Sequence, residues 1–241
     1  MDSPAQAAGD FRPTEAIGAR AARLVRRHGT SGAAKLVARR LLPATPHSSW
    51  FLWYELLIAA ERPRHELAPG LALRAAKAED VHLLDQLPAN ELVSDMDPSS
   101  ALRRMEEGAT LWLVTEGDRL AFACWIFRGH APVWAARGGE IELPPDVVCL
   151  EDSHSSPAFQ GRGIAPATWT LVADRCGEEG ARAIVTKITE GNAASRRAVE
   201  KIAFRAVARM HMSRRDWRMR VDIELLDEEP SRRWLTSLTR G

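Results

Sequence analysis

The chain passes from strand to helix across Gln160-Gly161-Arg162-Gly163-Ile164-Ala165, and that junction constrains the fold more than any other stretch. An apolar run, Val147–Glu151, stands before it. Gly163–Cys176 behind it reads as a helix with Trp169, Val172 and Cys176 on one side. Two glycines here let the main chain turn and let a ligand come close to the backbone. The first helical turn then offers free N–H groups at the positive end of its dipole, which suits a phosphate. A third glycine, as in a dinucleotide-binding fingerprint, is absent, because Pro166 and Ala167 follow.

Around this junction the chain alternates in type from Leu71 onward. Leu71–Ala75 reads as a strand, and a helix runs through Val81, Leu84 and Leu87. Asp97-Pro98 forms an N-cap and first-turn pair for a helix reaching Gly108. Leu111–Thr115 and Leu120–Phe127 flank the turn Glu116-Gly117-Asp118 as a hairpin. Ala183–Thr189 reads as a strand, Asn192–Ile202 as a helix, and Ala206–Met212 with Trp217–Leu225 as a closing hairpin. Upstream, residues 1–15 read as loose, and residues 16–66 as a basic helical extension. Ser48–Glu61 is expected to be a helix of that extension, with Trp50, Trp53, Leu56 and Leu57 at helical spacing. Its aromatic cluster, Trp50, Phe51, Trp53 and Tyr54, is expected to pack against the domain at 67–241.

This order of elements resembles the GNAT superfamily of N-acetyltransferases over roughly residues 70–225. The motif residues sit in the second half: Gln160, Gly163 and Ala165 after Pro157-Ala158-Phe159, then Asn192 opening a helix that closes on Ala203-Phe204. The resemblance implies an α/β fold: a mixed, mostly antiparallel, splayed sheet flanked by helices, with an N-terminal helical extension. It implies acetyl-CoA as acyl donor, a small-molecule amine as acceptor, and direct attack in a ternary complex. The backbone of Gly161, Arg162, Gly163, Ile164 and Ala165 would hold the pyrophosphate. Ser153, His154 and Ser155 would line the pantetheine arm, together with Asn192 and Ser195. A backbone N–H near Ser155 would face the developing oxyanion, where a preorganised donor acts most strongly.

An attacking amine must be neutral, so a general base is useful. Glu151, Asp152 and His154 cluster before the loop, and Glu151 is the expected base. Regular alternation puts Glu151 and Ser153 on one face and Asp152 and His154 on the other, unless a bulge resets the register. The resemblance departs at Val199, where relatives carry a tyrosine that protonates the leaving thiolate. The chain's one tyrosine, Tyr54, lies far away in the extension, and Ser195 is the expected stand-in. The segment between Asp80 and Gly108, the hairpin and Trp125 would shape the acceptor pocket. Longer acyl donors, from coenzyme A or acyl carrier protein, and a non-catalytic acyl-CoA-binding role are the alternatives.

A net charge of +1 does not point to nucleic acid. Arg20, Arg23, Arg26, Arg27, Lys35, Arg39 and Arg40 nevertheless stand together without an acid, a face suited to an acyl carrier protein or an anionic membrane surface. A homodimer is left open. The histidines show no metal-type pairing with one another or with cysteine, so no metal is expected. Cys124, Cys149 and Cys176 fall in apolar segments and read as reduced core thiols. A soluble, cytoplasmic protein follows from these readings.

Overall fold

The computed structural model describes residues 47–87, 98–132, 141–215, 218–226 and 235. The helices expected between residues 16 and 42, the loose N-terminus and Asp97 lie outside them. The chain divides into two compact units, Met1–His47 with Arg214–Arg218, and Ser48–Ser213 with Met219–Gly241. The second unit carries the candidate site.

Among the described residues, ten strands and three α-helices form in the order β1 (His47–Leu57), β2 (Ala72–Ala75), α1 (Pro98–Glu106), β3 (Thr110–Glu116), β4 (Arg119–Arg128), β5 (His130–Ala131), β6 (Ile141–Glu142), β7 (Val147–Ser155), α2 (Ile164–Glu178), β8 (Ala183–Thr189), α3 (Ala193–Glu200), β9 (Arg205–Arg215) and β10 (Arg218–Leu225). Eight strands make one sheet in the order β10-β9-β1-β8-β7-β4-β3-β2, while β5 and β6 pair apart. β7 and β8 run parallel; β1 with β8, β2 with β3, β3 with β4, and β4 with β7 run antiparallel. The expected mixed, mostly antiparallel sheet with flanking helices is the fold observed.

Both faces of the sheet are covered along β4, so that strand is apolar and buried at every position from Leu120 to Phe127. Ala123, Trp125 and Phe127 face one core with Val81, Leu84 and Ala101, beneath α1 and a 3-10 helix at Ala78–Gln86. Phe122, Cys124 and Ile126 face the other, with Trp169, Val172 and Cys176 of α2 and Val199 of α3. The three cysteines are buried and unbridged. The 3-10 helix is held to β2 by Asp80, whose carboxylate takes both Arg74 guanidinium nitrogens and the Lys77 N–H (2.7 Å). The Arg74 guanidinium holds the Asp80 carboxyl at about 2, well below its usual range.

The segment expected to be a helix at Ser48–Glu61 is a correction. Most of it is strand β1, paired with β8 from Phe51↔Thr189 to Leu57↔Ala183. Leu52, Tyr54 and Leu56 face one core and Trp53 the other, so both parities are apolar and helical spacing appears by coincidence. Burying each of these large side chains is worth about 1.5–3 kcal/mol, and aromatic residues suit a pleated strand. Across the neighbouring strands, Ser48 Oγ lies 2.8 Å from His211 Nε2, and Trp50 stacks on the same imidazole at 4.3 Å. Arg209 covers Trp50 at 4.1 Å and pairs with Glu190 at 2.9 Å.

Candidate active site

The parallel ladder between β7 and β8 ends at Cys149↔Val185, although β7 runs on to Ser155 and β8 to Thr189. Past that rung β7 keeps its pairing with β4 alone, up to Phe122↔Ser155. The gap leaves one edge of β7 facing β8 as a template that an extended ligand can join by backbone hydrogen bonds. It opens next to the glycine-rich loop.

A β-bulge sets which side chains meet there. Trp125 opposes Glu151 and Ala123 opposes His154, so Asp152 and Ser153 both face the single residue Cys124. Asp152 takes a left-handed backbone, with φ 49°. Directly opposed residues share a face, and Trp125 and Ala123 both point into the core beneath α1. Glu151 and His154 therefore stand on one face of β7, with Ser155 on the other beside Phe122. Regular alternation would have separated the two.

Glu151 is partly buried, and its carboxylate accepts the main-chain N–H of Lys187 on β8 and the Cys149 thiol at 3.7 Å. Burial raises its carboxyl to about 7, with Lys187 pulling down and Asp152 pushing up. That value suits a group that must take a proton at neutral pH. Burial lowers the His154 imidazole, against the pull of Asp152, so His154 favours the uncharged form. Asp152 is occupied by Arg104 of α1, whose Nη1 donates at 2.6 Å. The Arg104 guanidinium lies 5.4 Å from the ring centroids of both Trp125 and Phe127. Trp125, expected to shape the pocket, is fully buried beneath that guanidinium and supports the site from below.

The loop after β7 is tethered by Phe159, buried at the end of a 3-10 turn, Pro157–Phe159. Gly161 and Gly163 have φ of 76° and 73°, and a Cβ at either would project into open space. Gly163 is the N-cap of α2 and supplies no side chain to cap it, while Pro166 has no N–H. The N–H groups of the first turn thus have no side-chain cap from the N-cap residue. This exposed, positive, side-chain-free cradle fits a pyrophosphate. Arg162 lies over the Phe159 ring at 4.9 Å, and so does Arg119 from the start of β4, a second cation that sequence reading passed over.

On α3, Asn192 Oδ1 accepts the Ser195 N–H at 3.1 Å, so Asn192 is the helix cap. Ser195 sits partly buried one turn in, and Val199 is buried in the core. Tyr54 is not remote from this helix. β1 places its hydroxyl against α3, donating to Glu200 Oε1 at 2.9 Å and accepting from Arg196 Nε at 3.1 Å. Burial raises the phenol further. Sequence reading missed this contact, and also Lys187 and Arg104, because strand pairing and helix packing create all three.

Among the described residues no cluster of three or more His, Cys, Asp or Glu could hold a metal ion, and no helix is long and apolar enough to cross a membrane.

Comparison with known proteins agrees with this architecture. Residues 79–204, just over half of the chain, match the family described as acetyltransferase (GNAT). A Drosophila protein of known structure is similar at 13% identity and TM-score 0.52, over 78% of this chain and 58% of its own. A GNAT-family acetyltransferase from Colwellia psychrerythraea is similar at 14% identity and TM-score 0.50, over 81% and 63%. The chain thus spans about three fifths of the length of these structures. No curated protein matches it.

Proposed function

Because the chain belongs to the acetyltransferase (GNAT) family, we propose that it is an acyltransferase that moves an acetyl group from acetyl-CoA to a primary amine. The observation that carries this reading is the β7–β8 gap, which opens beyond Cys149↔Val185 and leads to the Gly161–Gly163 cradle. The pantetheine arm joins the free edge of β7 near Ser153 and Ser155. The pyrophosphate rests on the first turn of α2, with Arg162 and Arg119 close by. The thioester carbonyl then lies near the β7 backbone, whose N–H groups stabilise the oxyanion as it forms.

Glu151 and His154 share one face of β7, and the acceptor enters on that face. The amine nitrogen attacks the thioester carbon, and Glu151 takes the proton that the nitrogen must shed, directly or through water. Collapse of the tetrahedral adduct breaks the C–S bond and releases coenzyme A. Its thiol, with a pKa near roughly 8.5, leaves with modest assistance, and the Ser195 hydroxyl is the proposed proton donor. No bond to the enzyme forms at any stage.

Calorimetric titration of acetyl-CoA and a long-chain acyl-CoA into wild type and Gly163→Trp tests the donor site. Saturable acetyl-CoA binding that the bulky residue abolishes supports the cradle. Far tighter long-chain binding redirects the donor assignment, and binding of neither overturns the reading. Thiol release across an amine panel then separates a transferase from a binding module.

A further inference from the structure

The geometry points to Lys187 as the anchor for an anionic group on the acceptor, which makes the preferred substrate a small amine that also carries a carboxylate or phosphate. This inference rests on the acetyl transfer proposed above and narrows its acceptor.

The register supplies the first argument. Cys149↔Val185 is the last rung of the parallel ladder. Two residues further along each strand come Glu151 and Lys187, on the same face as the last rung and on opposite sides of the gap. Lys187 opposes Trp53 and Glu151 opposes Trp125, both residues of one core. The Lys187 main-chain N–H bonds to the Glu151 carboxylate. The base and the lysine therefore face one acceptor space.

Charge supplies the second. Lys187 is partly buried, and its ammonium lies 4.9 Å from the centre of the Phe51 ring. No carboxylate of the described residues closes an ion pair on it, whereas Arg104 of α1 is committed to Asp152 at 2.6 Å. A ring contact offsets only part of the cost of withdrawing an ammonium from water, and a partly buried charge is better satisfied by a counter-ion. Glu151 acts on the ammonium across the gap but closes no ion pair with it. An acceptor with an anion near its amine completes both halves: nitrogen toward Glu151, anion toward Lys187, its carbon stem against Phe51. A neutral alkylamine leaves the ammonium without a paired anion.

Thiol release from acetyl-CoA, measured on matched amines, tests the anchor. β-Alanine is compared with its neutral amide, and phosphoethanolamine with ethanolamine. In wild type the anionic member of at least one pair should have kcat/KM about 10–100-fold above its neutral partner, and which pair shows it tells carboxylate from phosphate. Lys187→Met should lower kcat/KM for the anionic member about 10–100-fold more than for the neutral one, mainly through KM, and Lys187→Arg should restore part of the gap. Melting temperatures confirm that both variants fold. Equal rates within both pairs, or an equal loss on both members in Lys187→Met, overturn the anchor while acyl transfer stands. If acetyl-CoA does not bind wild type, the transferase reading fails first and the anchor falls with it.

Discussion

At the scale of single residues, Glu151 makes the sharpest prediction. Its carboxyl is raised to about 7 chiefly by burial, and the base is the ionised form. The pH profile of kcat/KM should therefore rise to a shoulder near 7, and Glu151→Gln should remove that limb and cost about 10²–10⁴ in rate. The stability effect has the opposite sense. The folded protein holds a proton that the unfolded chain releases near the ordinary carboxylate pKa, so Glu151 weakens the fold as pH rises from about 4.5 through 7. Denaturant melts of wild type and Glu151→Gln across that window should diverge as pH rises, with the variant keeping more of its stability. Ala203 tests a second residue-scale point. It follows the end of α3 with φ 71°, a left-handed conformation that glycine adopts without strain. A Cβ in that conformation costs about 1–2 kcal/mol, part of which glycine returns as unfolded-state entropy. Ala203→Gly should raise stability by about 0.5–1 kcal/mol in urea titration. Glu151 was legible from its place before the loop. Its partner Lys187 was not, since only the parallel register brings the two together.

Among elements, the close approach of the segment after β1 to α2 is measurable. A Cβ on Gly177 would stand 2.7 Å from Ile58 Cγ2, a methyl fixed on a β-branched side chain. Gly177→Ala should therefore destabilise by about 1–3 kcal/mol despite alanine's better helix propensity. Ile58→Ala in the same chain should recover most of that loss in a double-mutant cycle. The 3-10 helix offers a pH test of another kind. The Asp80 carboxyl is depressed to about 2 by Arg74, so its stabilising effect is full above the ordinary value of 3.8 and is lost as pH falls through 2. Arg74 is substantially exposed, its side chain at 42%, and water screens the pair. Asp80→Asn should cost about 1 kcal/mol at neutral pH, and the two proteins should converge in acid melts near pH 2. The order of strand, glycine loop and helix from Val147 through α2 was legible, although β7 runs on to Ser155, past the expected end at Glu151. The bulge at Asp152 was not, because bulges follow from pairing two strands of unequal residue count.

For the whole molecule, β1 is the test. It fills the sheet between β8 and β9, so a chain lacking residues 1–57 would expose two strand edges and two apolar faces. Such a chain should aggregate or melt far below wild type, as size-exclusion chromatography and circular dichroism would record. Local sequence specified the alternation of strands and helices from Leu71 onward except β5 and β6, the glycine turn before α2 and the Asn192 cap. Each of these depends on local backbone chemistry: glycine's access to positive φ, a side-chain oxygen at a helix start, apolar spacing within one element. Tertiary structure decided what was non-local. β1 is apolar on both faces, a pattern that helix and buried strand share, and only its place beside β8 makes it a strand. The same placement carries Tyr54 to α3. The β7 bulge turns His154 to the side of Glu151, and the end of the parallel ladder sets Lys187 across from it. Those contacts join residues far apart in the chain, whose side chains meet only after the sheet has closed.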